Sequence, residues 1–164
     1  MQNKYITVKN SRIHGRGVYA KINIPNDTLI IQYVGEKITK AEAEARAAKV
    51  YETAKKHGTG AVYIFELDDE YDIDGNVSWN TARLINHACE TNCEAQLIDD
   101  EIWIVATENI NKGEELHYDY GYDLEDWREH HCHCGKASCI GYIVEQRHRK
   151  KVQRMLQKEK SMGE

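Results

Sequence analysis

Three cysteines stand close together in Cys132-His-Cys-Gly-Lys-Ala-Ser-Cys139, and two more, Cys89 and Cys93, lie far upstream. Thiolates at this spacing around a glycine suit a tetrahedral metal ion, and a structural zinc site takes four S or N ligands at about 2.0–2.3 Å. Three close ligands leave one to be found: Cys89 or Cys93 from a distance, or the neighbouring His131 or His133. A remote thiolate would tie the loop back onto the body of the chain, which favours an upstream cysteine. An odd cysteine count without an export signal points to metal before disulfides. The competing reading is a set of unpaired buried thiols.

A second group is polar where a core should be apolar. In Asn80-Thr-Ala-Arg-Leu-Ile-Asn-His-Ala-Cys-Glu-Thr-Asn-Cys93 the apolar residues are broken by Asn86-His87. Asn86 carries both a donor and an acceptor for a ligand. In His14-Gly-Arg-Gly17 the glycines allow a backbone to approach a ligand closely, because no Cβ intervenes.

The elements that must position these residues are mostly strands. Tyr5–Val8, Gly17–Ala20 and Thr28–Val34 are short β-like runs separated by glycine turns. Thr39-Lys-Ala-Glu42 is a capping box that opens an alanine-rich helix running to Lys56, with Gly58 as its stop. Ala61–Leu67, Ala95–Ile98 and Glu101–Ala106 read as further strands, with an acidic turn and a polar segment, Trp79 to Arg83, between the first two. Leu116 to Tyr122 alternates aromatic and polar residues, and Asp126 to Gly141 is a cysteine-bearing loop. Val144, His148, Val152, Met155 and Leu156 give the last segment an amphipathic helical spacing.

With 164 residues, 41% hydrophobic and 30% charged, the chain is large enough for one soluble domain with its own core. It has no run of about 20 apolar residues to cross a bilayer and no apolar leader, so the expectation is an intracellular protein with no membrane partner. The net charge is −5, yet Glu145–Lys160 holds seven Lys/Arg against two Glu. The rest is therefore acidic, which favours a basic protein or peptide partner and argues against nucleic acid except through the basic tail. Solvated hairpin turns are the plainer explanation of such acidic runs.

Taken in order, five motifs resemble the SET domain of protein-lysine methyltransferases, followed by a post-SET zinc loop. They are Ser11-Arg-Ile-His-Gly-Arg-Gly-Val-Tyr19, Tyr33-Val-Gly-Glu36, Tyr63-Ile-Phe-Glu-Leu-Asp-Asp69, Arg83–Cys93 and Glu115-Leu-His-Tyr-Asp-Tyr120. The third is similar to the strand beside the substrate in Trithorax/mixed-lineage-leukaemia-type enzymes. Ala88 stands where the family commonly has Ser, and Thr91 where it commonly has Pro. The reading expects no cysteine-rich pre-SET segment.

The resemblance implies a mostly β fold with short helices, in which small twisted sheets carry a C-terminal pseudoknot. Residues 1–123 would be the SET domain with a helical insert at 39–58, residues 124–141 the post-SET loop, and residues 142–164 a basic helix or tail. It implies S-adenosylmethionine as methyl donor, bound by His14, Gly15, Arg16, Gly17, Tyr63, Asn86 and His87. Tyr120 would be the catalytic tyrosine, with Tyr118 and Tyr33 beside it. Tyr33, Phe65, Tyr118 and Tyr122 would line an aromatic lysine channel. Zn²⁺ would take Cys89, Cys132, Cys134 and Cys139, leaving Cys93 as the odd thiol and the rival to Cys89.

Tyr118 falls at the family's Phe/Tyr switch position, which implies mono- or dimethylation. A histone or another Lys/Arg-rich protein would be the substrate, with room for an activating protein partner. The protein would work at chromatin in a nucleus, or in the cytoplasm if it serves a microbe. The alternative is a catalytically weak, zinc-stabilised module that binds basic peptides.

Overall fold

The computed structural model describes residues 3–57, 63–125 and 127–162. In chain order these form β1 (Ile6–Asn10), β2 (Arg16–Ala20), β3 (Leu29–Tyr33), β4 (Glu36–Thr39), α1 (Lys40–His57), β5 (Ile64–Glu66) and β6 (Tyr71–Asp74). After a 3₁₀ turn (Thr81–Leu84) come β7 (Asn86–His87), β8 (Cys93–Ile98), β9 (Glu101–Ala106), β10 (His117–Tyr118), a second 3₁₀ turn (Trp127–Glu129) and α2 (Gln146–Met162). The chain divides into two compact units: Met1–Asp27 with Ile85–Glu94 and Ala106–Glu164, and Thr28–Leu84 with Ala95–Val105.

In the first unit β1 and β2 form an antiparallel hairpin, Ile6 opposite Ala20 and Asn10 opposite Arg16. Its turn closes with the Ser11 N–H donating to the Gly15 carbonyl at 2.9 Å. Gly15 sits at φ +47°, a left-handed conformation that glycine adopts without a steric penalty. β7 and β10 pair in parallel, His117 opposite Asn86 and Tyr118 opposite His87. Asn92 clamps the approach to β10: its amide donates to the Glu115 carbonyl at 2.9 Å, and its Oδ1 accepts from the His117 N–H at 2.8 Å.

α2 closes this unit. Val152 and Val144 are fully buried with Trp127, and Leu124, Ile140, Tyr142, Met155 and Leu156 pack around them. The apolar spacing read from the sequence is thus the buried face of a real helix.

The second unit has two three-stranded sheets, in the orders β3-β9-β8 and β4-β6-β5. Ile30, Tyr33, Ile102 and Ile104 form the buried side of the first. In the second, α1 starts with the capping box as expected: the Thr39 N–H donates to Glu42 Oε2 at 2.9 Å and the Glu42 N–H to Thr39 Oγ1 at 3.3 Å. The expected stop at Gly58 lies outside the described residues, as do Ala61 and Val62 at the start of the expected fourth strand.

β4 and β6 are absent from the sequence reading, which has an acidic turn from Glu66 to Asp74. Asp72 and Asp74 alternate onto one face of β6. There they accept from Lys40 at 2.7 Å and Arg46 at 2.6 Å of α1, while Asp68 caps the turn through the Glu70 and Tyr71 N–H groups. Lys37 also stands 3.8 Å from Asp68, so three of the six acids from Glu66 to Asp74 face a cation inside their own unit.

Candidate active site and metal centre

The site residues of the first unit converge on β7. Asn86 is buried, and its amide nitrogen donates to Glu115 Oε1 at 2.8 Å, to the Arg16 carbonyl at 3.2 Å and to the His14 carbonyl at 3.4 Å. The donor capacity of Asn86 is consumed within the chain, so only its carbonyl oxygen is left to face a ligand. The side chains of His14 and Arg16 are exposed, and their backbone joins the site.

Glu115 is the hub that sequence reasoning missed as a functional residue. Its second oxygen accepts from the Tyr19 hydroxyl at 2.9 Å. A Cβ at Gly17 would lie 2.1 Å from Glu115 Oε1. The space at Gly17 thus belongs to Glu115, whereas Gly15 opens onto nothing within 4 Å. A carboxylate only accepts hydrogen bonds, so Glu115→Gln would turn an N–H₂ toward one of two donors. The expected cost is about 1–3 kcal/mol, visible as a fall of roughly 3–10 °C in the melting temperature.

The aromatic residues of the Glu115–Tyr122 segment line up from β10 onward. Tyr118 is buried, its ring centroid 5.1 Å from that of Tyr120, which lies 6.0 Å from Tyr122 and 5.5 Å from His87. The Tyr120 hydroxyl donates to the Ile85 carbonyl at 3.0 Å and its N–H to His87 Nδ1 at 3.3 Å. With Nδ1 accepting, His87 carries its ring proton on Nε2, 3.8 Å from the Cys89 sulfur. Tyr33, Phe65 and Tyr63 lie in the second unit. There the Tyr33 and Phe65 rings stand 4.5 Å apart, the Tyr33 hydroxyl donates to the Tyr63 carbonyl at 2.9 Å, and Arg83 covers the Tyr63 ring.

The sulfurs of Cys89, Cys132, Cys134 and Cys139 all lie within 4.8 Å of one another. Cys89 and Cys132 are 3.8 Å apart, the edge of a tetrahedron whose Zn–S bonds are about 2.3 Å. This cluster can hold a metal ion. Cys89 is held down at about 3 by the Cys132 thiol and His87, and Cys132 is raised in turn by the Cys89 thiolate. The same proximity that favours one thiolate penalises the next, so a cation is what would let all four deprotonate. Cys93 is outside the cluster, and burial pushes it up to about 12.

Asp119 and Arg149 join the aromatic row to the cysteines, and neither was singled out from sequence. Asp119 Oδ2 accepts from the Gln146 N–H at 2.9 Å, capping α2, and from Arg149 at 2.8 Å. Arg149 also donates to the Cys89 carbonyl. Asp119 is legible inside Tyr118-Asp-Tyr120. Arg149 has no distinguishing signal, because it is one of seven cations in its segment.

The SET domain family matches residues 15–121, and the chain belongs to that family. It is 40% identical over 144 residues to histone-lysine N-methyltransferase set-2 of Caenorhabditis elegans, covering 85% of this chain and 9% of that protein. It is 37% identical over 141 residues to human histone-lysine N-methyltransferase 2D, covering 82% of this chain and 2% of that protein. Against the H3 lysine-4 specific histone-lysine N-methyltransferase of Chaetomium globosum the identity is 39% over 146 residues, 85% of this chain and 13% of the other. The chain thus spans a small fraction of the curated relatives it matches. No helix among the described residues is long and apolar enough to cross a membrane.

Proposed function

We propose that this chain is an S-adenosylmethionine-dependent protein-lysine N-methyltransferase that adds one or two methyl groups to a histone or another Lys/Arg-rich protein at chromatin. The observation that carries the reading is the joining of Tyr120, His87 and Asn86 to the His14–Gly17 loop in a chain of the SET family. Its relatives are named histone-lysine methyltransferases.

When bound, S-adenosylmethionine would supply an activated methyl group on its sulfonium, and the residues of this chain would position a neutral lysine amine in line with it, the thioether leaving as the new N–C bond forms. The lysine ordinarily titrates near 10.4 and must first lose a proton, which desolvation and a nearby positive charge both favour. Asn86 Oδ1 would accept from the donor's ammonium group, and the backbone at Gly15, with nothing within 4 Å of a Cβ there, would admit the donor closely. The Tyr120 hydroxyl would supply a fixed dipole at the reacting centre, and Tyr118 and Tyr122 would offer apolar faces to the lysine stem. No carboxylate base is required.

We assign Zn²⁺ to Cys89, Cys132, Cys134 and Cys139, on the support of the tetrahedral sulfur spacing. The segment 124–141 would then be the loop this ion fastens, and within 142–164 the helix α2 (Gln146–Met162) packs on Trp127.

Calorimetry tests the donor site directly. One S-adenosylmethionine should bind per chain, weakened at least tenfold by Asn86→Ala; no binding to the intact chain overturns the reading. Tyr118 tests the product. Its hydroxyl would hold a water in the space of a further methyl, so Tyr118→Phe should extend the products toward trimethyl-lysine by mass spectrometry. Efficient trimethylation by the unaltered chain would contradict this role.

A further inference from the structure

The cations of α2 are sorted by the fold. Arg149 turns inward to Asp119 and the Cys89 carbonyl, and Arg147 pairs with Glu145 at 2.7 Å. The helix's acid, Glu159, pairs with Arg128. Lys150, Lys151, Arg154 and Lys158 are exposed, and among the described residues no acidic partner is recorded for them. At about 100° per residue these four and Arg147 fall within an arc of about 100°, opposite buried Val152, and span about 16 Å of helix axis.

Such a stripe has a cost, because like charges three and four residues apart destabilise a helix. Val152, Met155 and Leu156 already hold α2 in place, so anchoring does not call for it. The packing fixes the direction of the stripe, and a rigid row of cations is complementary to a polyanion. Residues 146–162 contain no Phe, Tyr or Trp, so the helix lacks the large stacking platforms with which proteins grip single strands. A duplex, with one negative charge per about 1.7 Å of axis, gives such a row the largest gain from counterion release.

We propose that the Lys150/Lys151/Arg154/Lys158 face of α2 docks on the phosphate backbone of a DNA duplex, without reading its sequence. This reaches beyond methyl transfer and does not depend on it. The test is fluorescence anisotropy of a random duplex of about 20 base pairs with the full chain over a salt series. Four phosphate contacts predict a log–log salt slope near −3.6.

Lys151→Gln/Arg154→Gln/Lys158→Gln should flatten the slope by about 2.7 and weaken binding at least tenfold at low salt, and Arg154→Gln alone should flatten it by about 0.9. Melting temperatures should hold or rise, because repulsion is relieved. An absence of binding at low salt, or slopes unchanged in both variants, overturns the proposal. So does equally tight binding of a single strand, or of poly-glutamate of equal charge, the latter assigning the face to an acidic protein.

Discussion

Replacing Tyr120 by Phe is expected to lower methyl transfer about 10²–10³-fold, the usual effect of removing one preorganised dipole from a reacting centre. The ring itself should stay in place, since it packs among Tyr118, Tyr122 and His87 and its N–H is held by His87 Nδ1. What is lost is the hydroxyl and its bond to the Ile85 carbonyl, a cost to stability of about 1 kcal/mol. The loss should therefore appear in kcat, with donor affinity by calorimetry nearly unchanged. A rise in KM at constant kcat would make Tyr120 a binding residue instead.

Removal of one cluster thiol should be the larger blow to stability. The purified chain is expected to carry one zinc, counted by atomic emission, and Cys132→Ala should lose it. The loop from Cys132 closes on itself through the Cys132 N–H to the Gly141 carbonyl at 2.9 Å and the Cys139 N–H to the Lys136 carbonyl at 3.1 Å, while the Cys89 N–H donates to Cys134 Sγ at 3.5 Å, the Gly141 N–H to Cys139 Sγ at 3.4 Å and the Ser138 N–H to Glu90 at 3.1 Å. Two of the bonds end on cluster sulfurs, and a bound cation would hold those acceptors in place. Losing the metal should lower the melting temperature by about 10–15 °C, equivalent to several kcal/mol. Activity should fall with it, because the Cys89 carbonyl and Asp119 share Arg149. Cys93→Ser should leave the zinc count unchanged; a metal lost there and kept in Cys132→Ala would reverse the ligand assignment.

Much of this arrangement is legible in the chain. The alternation and glycine turns locate β1, β2, β3 and β9, the Thr39–Glu42 box fixes the start of α1, and the apolar spacing of Val152, Met155 and Leu156 marks α2. What escapes is whatever depends on partners distant in sequence. β6 hides in an acidic run because Asp72 and Asp74 are acceptable in a strand only when Lys40 and Arg46 stand opposite. β7 and β10 are two residues long and exist through each other. The cysteine cluster is legible in two parts: the spacing of Cys132, Cys134 and Cys139 announces a site, the motif resemblance chooses Cys89 over its rival Cys93, and the fold brings those four sulfurs within 4.8 Å of one another. Glu115 and Arg149 act through contacts 29 and 60 residues away, so their residue types alone carry no signal.

The central claim is methyl transfer to lysine, and the most direct measurement is the intact mass of core histones incubated with the chain and S-adenosylmethionine. The account predicts mass steps of one and two methyl groups on a lysine side chain, absent with the Tyr120→Phe variant. Histones and other basic proteins left unmodified by a zinc-loaded chain that binds the donor would contradict it.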